Sequence, residues 1–171
     1  EAAPRRAYPG VYALTKVLEE VLLEQAQIQY GIDGCILRAP WIMEKDDFRY
    51  ALRFGPDQFG GPAWTSLLSP MVLQSLDPDR HIPLMRDLTG AALKRNFIPV
   101  SDLVSAILAA IDNPAARQKL FNIAMDEPVD YARAAQILQT RHQMTAVDVP
   151  TPFYSNWMDN SAARHALGWR P

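Results

Sequence analysis

VYALTKVLEEVLLEQAQIQYGIDGCILRAPWI, residues 11–42, sets a helical repeat directly before an extended apolar run. Val11, Leu14, Val17, Leu18, Val21, Leu22 and Ile28 recur at steps of three and four, with Glu19, Glu20 and Glu24 between them, which predicts an amphipathic helix from Val11 to Tyr30. The glycines of YGIDG punctuate its end. CILRAPWI then predicts a short buried strand that stops at the proline, because Pro40 holds Ala39 in extended geometry. A buried strand after a long helix predicts α/β alternation.

Beyond this stretch, residues 43–95 are less regular. DDFRYALRF and AWTSLLSPMVLQSL look helical, prolines at 56, 62, 70, 78 and 83 interrupt them, and HIPLMRD suits a strand, so the region reads as a partly helical insertion. The alternation then resumes with RNFIPV as a strand, SDLVSAILAAIDNP as a helix capped by Ser101, and KLFNIAM as a buried strand. VDYARAAQILQTRH predicts a helix, TAVDVP a strand, and NSAARHALGW a closing helix with Gly168 at its C-terminal end.

The 171 residues are 49% hydrophobic and 21% charged, enough for a soluble domain with a sizeable core. A net charge of -2 gives no bulk attraction to nucleic acid or to an anionic membrane, so any anion site is local. The single Cys35, among apolar neighbours, reads as a small buried residue of a chain from a reducing compartment, and the cytoplasm is the expected location. No apolar run reaches the length of a membrane span. His81, His142 and His165 have no metal-ligand spacing with Cys35 or with one another, so no metal site is expected.

Tyr12 and Lys16 stand four residues apart, one above the other on the predicted helix. A free phenol titrates at about 10, and a nearby ammonium favours the phenolate, which suits the pair to moving a proton to or from an alcohol. The same spacing also suits a solvated helix face.

Together with the segments C-terminal to it, the pair resembles a known family, the extended short-chain dehydrogenases/reductases, the NAD-dependent epimerases and dehydratases that mostly act on nucleotide sugars. YALTKVLEE is similar to its Tyr-x-x-x-Lys helix, and YGIDGCILRAPWI resembles the strand that runs from Tyr-Gly to Arg-Pro. KRNFIPVSDLVSAILAAID is similar to the Arg-Asp-Phe-Val-His-Val-x-Asp segment and its helix. LFNIAMDEPVDYARAAQIL resembles the Tyr-Asn-Ile-Gly strand and helix, and DNSAARHALGWRP the closing Leu-Gly-Trp-x-Pro element.

The resemblance implies an α/β fold: the C-terminal part of a Rossmann-type doubly wound parallel sheet, plus a small mixed α/β substrate-binding domain. Residues 1–42 and 96–129 are then assigned to the cofactor domain, and 43–95 and 130–171 to the substrate domain. It implies NAD or NADP as cofactor, Tyr12 as catalytic acid/base, and Lys16 as the residue that tunes Tyr12 and binds the nicotinamide ribose. Pro40, Trp41 and Ile42 would lie beside the nicotinamide, and Arg95 would grip a substrate diphosphate through its forked donors. Read without the resemblance, Arg95 suits a solvated strand edge and Trp41 a cap on the core. Asp102 suits the first turn of its helix. The resemblance further implies a homodimer through the tyrosine helix.

The family's glycine-rich turn, which cradles pyrophosphate, is absent, and residues 1–11 hold no Ser or Thr to serve beside Tyr12. FGGPAW meets a proline and does not replace that turn. The chain is therefore expected to be the C-terminal half of such an enzyme, inactive alone and partnered by an N-terminal half of the same protein. Pro99 and WIMEKDD depart from the family pattern where it lines the substrate pocket. They leave open a carbonyl reductase of a non-nucleotide substrate, or a non-catalytic cofactor-binding scaffold.

Overall fold

The computed structural model describes residues 10–44, 46–47, 52–55 and 63–171. In chain order, helix α1 (Val11–Tyr30) precedes strands β1 (Ile36–Arg38) and β2 (Trp41–Met43), a 3-10 turn at Trp64–Leu67, helix α2 (Pro70–Gln74) and strand β3 (His81–Arg86). Strands β4 (Lys94–Arg95) and β5 (Phe97–Pro99), helix α3 (Val100–Ala110), a 3-10 turn at Pro114–Ala116 and strand β6 (Leu120–Asn122) come next. Strand β7 (Val129–Asp130), helix α4 (Tyr131–His142), strand β8 (Thr145–Pro150) and helix α5 (Ser161–Leu167) complete the order. The pairs β1–β6, β2–β5 and β3–β8 are parallel, and β4–β7 is antiparallel. Parallel partners need long crossovers, and helices supply them here, which makes this an α/β fold.

The described chain forms two compact units. One contains the chain up to Pro40, Val100–Asp126 and Met158–Pro171; the other contains Trp41–Pro99 and Glu127–Trp157. Within the first, β1 pairs with β6 from Ile36↔Leu120 to Arg38↔Asn122. Phe121, Ile123, Ala124, Ala163 and Trp169 are buried in this unit. Helix α1 has no buried residue. It ends where Gly31 turns left-handed at φ 65°, a conformation that a side chain would strain. Polar ties hold it: Arg38 Nε and Nη2 donate to the two oxygens of Glu20 at 2.7 and 2.8 Å, and Gln27 Nε2 donates to the Gly34 carbonyl at 3.0 Å. Gly34 is tightly approached, since a Cβ there would come within 3.3 Å of Leu23 Cδ1.

In the second unit β2 pairs with β5, bringing Trp41 opposite Phe97, and β3 pairs with β8 from His81↔Thr145 to Arg86↔Pro150. Its core gathers Phe54, Trp64, Met85, Leu93, Tyr131 and Val149. No helix among the described residues is long and apolar enough to cross a membrane.

Several expectations change. The first strand of CILRAPWI stops before Pro40 as expected, but the residues after the proline form a second strand, because Pro40 lacks a backbone donor and the pieces on either side find different partners, β6 and β5. RNFIPV likewise splits at the buried Asn96 into β4 and β5. AWTSLLSPMVLQSL breaks where Pro70 was expected to interrupt it: Ser69 is extended before the proline and caps α2 by accepting from the Val72 N–H. Ser101 lies inside α3, which starts at Val100, so it is not the cap, whereas Asp102 does occupy the first turn. Asp130 caps α4 instead, accepting from the Ala132 N–H at 2.9 Å. Cys35 is half-buried rather than buried, and that burial pushes its thiol up. Residues 48–51 of DDFRYALRF and 59–62 of FGGPAW lie outside the described residues.

The C-terminal segment 158–171 packs in the first unit, not with the residues 130–157 it was expected to join. The reason is specific bonding: Asn160 Nδ2 donates to the Ala124 carbonyl at 2.9 Å, and the Trp169 indole N–H reaches the Asp102 carbonyl and Ser105 Oγ at 3.1 and 2.8 Å. Asn160→Ala leaves the buried Ala124 carbonyl without this donor, and thermal denaturation of the full-length protein is expected to show a loss of about 1–3 kcal/mol.

Candidate active site

Tyr12 and Lys16 lie on one face of α1. Both are exposed, Tyr12 at 77%, and Lys16 Nζ stands 5.6 Å from the centroid of the Tyr12 ring. Lys16 Nζ also donates to both oxygens of Glu19 at 3.1 Å, and this hydrogen bond raises the ammonium above its ordinary value. Tyr12, Lys16 and Glu20 are spaced by four, so the pair shares its face with the carboxylate that holds Arg38. The bidentate hydrogen bond that Arg38 donates to Glu20 raises Arg38 as well. The Glu20–Arg38 contact is the tie between α1 and β1, and Pro40 follows β1 as the last residue of this unit's first segment.

In the second unit Trp41 opens β2, half-buried, and Ile42 next to it is exposed. Trp41 meets Phe97 edge to face, the ring centroids 5.9 Å apart. Arg95 places its guanidinium over the Trp41 ring at 4.1 Å and over the Phe153 ring at 4.8 Å. The fully buried Tyr131 lies beside Arg95; burial pushes its phenol up to about 12, with Arg95 acting in the opposite sense. Arg95 is therefore a half-buried cation in an aromatic setting rather than a solvated strand-edge charge.

A polar hub sits at the turn after β3. One oxygen of Asp87 accepts from the Thr89 N–H at 2.9 Å, the Thr89 hydroxyl at 2.6 Å and the Ala91 N–H at 3.2 Å. The other accepts from Ser155 Oγ at 2.7 Å. The Thr89 and Ser155 bonds hold the carboxyl at about 2, below its ordinary 3.8. The sequence pairs Tyr12 with Lys16 and the structure brings them together; it also joins Trp41 to Arg95, which sequence spacing does not reveal. The Asp87 hub and the Glu20–Arg38 pair were missed. Arg38 did carry a signal, as a lone charge inside an apolar strand needs a partner.

Residues 4–124 match the NAD dependent epimerase/dehydratase family. The chain belongs to that family. No curated protein matches it significantly. Among solved structures, it is similar to a short-chain dehydrogenase/reductase superfamily protein from Agrobacterium tumefaciens with bound NAD, at 24% identity and a TM-score of 0.76, over 95% of this chain and 53% of that one. It is similar to UDP-glucose 4-epimerase from Thermotoga maritima with UDP-glucose, at 22% identity and a TM-score of 0.59, over 94% and 48%. RMD from Pseudomonas aeruginosa complexed with NADPH matches at 18% identity and a TM-score of 0.63, over 100% and 53%. At these identities the likeness establishes the Rossmann-type fold. The chain spans about half the length of the solved structures it matches.

Two outcomes test the local geometry in the full-length protein. Glu20→Gln weakens the bidentate grip on Arg38, with an expected loss of about 1–3 kcal/mol in denaturant unfolding. Because Asp87 is depressed in the folded state, its contribution to stability is full above 3.8 and disappears as pH falls through about 2. The melting-temperature gap between wild type and Asp87→Asn should narrow across that window; a constant gap contradicts the assignment.

Proposed function

We propose that this chain carries the acid/base half of an NAD(P)-dependent epimerase or dehydratase acting on a nucleotide sugar or a related sugar. The observation that carries the reading is the exposed Tyr12–Lys16 pair on one face of α1, inside the segment that matches the family. A phenol and an ammonium projecting together are a donor set that fits the paired hydroxyls of a ribose, so the residues fit a nicotinamide dinucleotide. Lys16, with Tyr12, would hold that ribose, and Pro40, Trp41 and Ile42 would line the nicotinamide side. A bound nicotinamide supplies a reversible hydride acceptor.

Tyr12 Oη takes the hydroxyl proton of a substrate alcohol as its carbon becomes a carbonyl, and returns a proton in the reverse direction. Lys16, kept protonated by Glu19, sets a fixed positive charge beside the phenol. Arg95 binds the substrate diphosphate, a task that suits planar, permanently charged guanidinium. The Arg95 setting supports a site prepared for one anion.

The proposal includes two partners. An N-terminal half of the same protein supplies the glycine-rich turn, and a second copy packs against the tyrosine helix. Both are supported by α1, where Val11, Leu14, Leu18, Val21, Leu22 and Ile28 are all exposed. A single cysteine and an enzyme of this kind suit the cytoplasm.

In the full-length enzyme, Tyr12→Phe should remove most turnover while nicotinamide cofactor affinity stays within about twofold, as expected for a group used in proton transfer. Near-normal turnover sinks the assignment. The 171-residue chain produced alone should fold cooperatively only when its N-terminal half is supplied; a cooperative monomer that ignores that half would refute the partnership.

A further inference from the structure

Two rings lie against the Arg95 guanidinium, and they arrive from distant parts of the second unit: Trp41 from β2 and Phe153 from the segment after β8. Trp41 is held by strand pairing. Phe153 belongs to no helix or strand, yet its backbone is tied on both sides. Its carbonyl accepts from the Leu88 N–H at 2.9 Å, and its N–H donates to Thr151 Oγ1 at 3.4 Å, whose hydroxyl donates to the Arg86 carbonyl at 2.8 Å. Two residues on, Ser155 Oγ donates to Asp87 at 2.7 Å and accepts from the Lys94 N–H at 3.0 Å. The Asn156 N–H then donates to the Lys94 carbonyl at 3.1 Å.

The clamp that places Phe153 therefore also grips Lys94, the residue whose backbone launches Arg95. An arginine side chain has large rotamer freedom, which a ligand must otherwise remove on binding. Ring contacts take the faces of a guanidinium, whereas its N–H donors lie in the plane and point past the ring edges. An arginine held against two rings has already lost part of that rotamer freedom, which lowers the ordering cost of an anion that its fork binds.

The geometry points to Phe153 and Ser155 as positioning residues that pre-orient Arg95 for the diphosphate of a nucleoside diphosphate ligand. The inference rests on the diphosphate role proposed above for Arg95. Ser155 acts through Phe153 and Lys94, and Phe153 acts through Arg95.

Calorimetric titration of the full-length protein with UDP tests it. Phe153→Leu should weaken UDP binding about tenfold, in the range of a ring–cation contact, and leave NAD affinity near wild type. Phe153→Tyr keeps the ring and should restore binding. Ser155→Ala, which spares every side chain at the rings, should weaken UDP about threefold and keeps the test decisive if Phe153→Leu fails to fold. In an Arg95→Ala background, Phe153→Leu should cause no further loss. Additive losses in that double variant, or unchanged UDP affinity in both Phe153→Leu and Ser155→Ala, overturn the positioning role alone. If wild type does not bind UDP, or Arg95→Ala binds it normally, the diphosphate role of Arg95 fails and the inference fails with it.

Discussion

Pro40 has no backbone N–H, so the extended run that begins at Ile36 cannot continue as one ladder. The arrangement of the described chain depends on that constraint. Before the proline, Ile36–Arg38 pairs with Leu120–Asn122; after it, Trp41–Met43 pairs with Phe97–Pro99. The first pairing belongs to one compact unit and the second to the other. The return crossing between Pro99 and Val100 also falls at a proline, directly where α3 begins. A missing donor at each point ends a strand without leaving a buried N–H unpaired.

Helix α1 is held differently from the rest of its unit. None of its apolar residues is fully buried, though Val17 and Leu23 are half-buried, so polar ties carry much of its attachment. The ties are the partly buried Glu20–Arg38 ion pair and the Gln27 bond to Gly34, with Leu23 closing on the glycine. Glu20 thereby gives α1 a defined rotation about its own axis. Since Tyr12 and Lys16 lie two turns and one turn earlier on the same face, that rotation also sets where they project. The candidate proton-transfer pair depends on a carboxylate that itself does no chemistry.

Periodicity was enough to show α1, α4, β3, β8 and the closing helix, because each has a steady repeat bounded by a glycine, a proline or a capping residue. The prolines marked the breaks at Pro40 and Pro70, but periodicity failed at Asn96, a buried polar residue that divides an apolar run, and it did not show the second strand after Pro40. Of the candidate site, Tyr12 and Lys16 were legible because their contact is local, four residues along one helix. The setting of Arg95 was not legible. Trp41, Arg95 and Phe153 are separated by long stretches of chain, and the hydrogen bonds that hold Phe153 run mostly through backbone groups, which carry no sequence signature.

By itself, then, the order of residues determined the elements, the family landmarks and the Tyr12–Lys16 pair, since these rest on spacing along a single element. Tertiary structure alone decided that Glu20 is answered by Arg38 and that the 158–171 segment packs in the first unit. It also decided that Arg95 lies against two rings, Trp41 held by strand pairing and Phe153 in the segment that Ser155 ties to Asp87. Such contacts join residues far apart in the chain, and only the closure of the loops between them brings the partners within bonding distance.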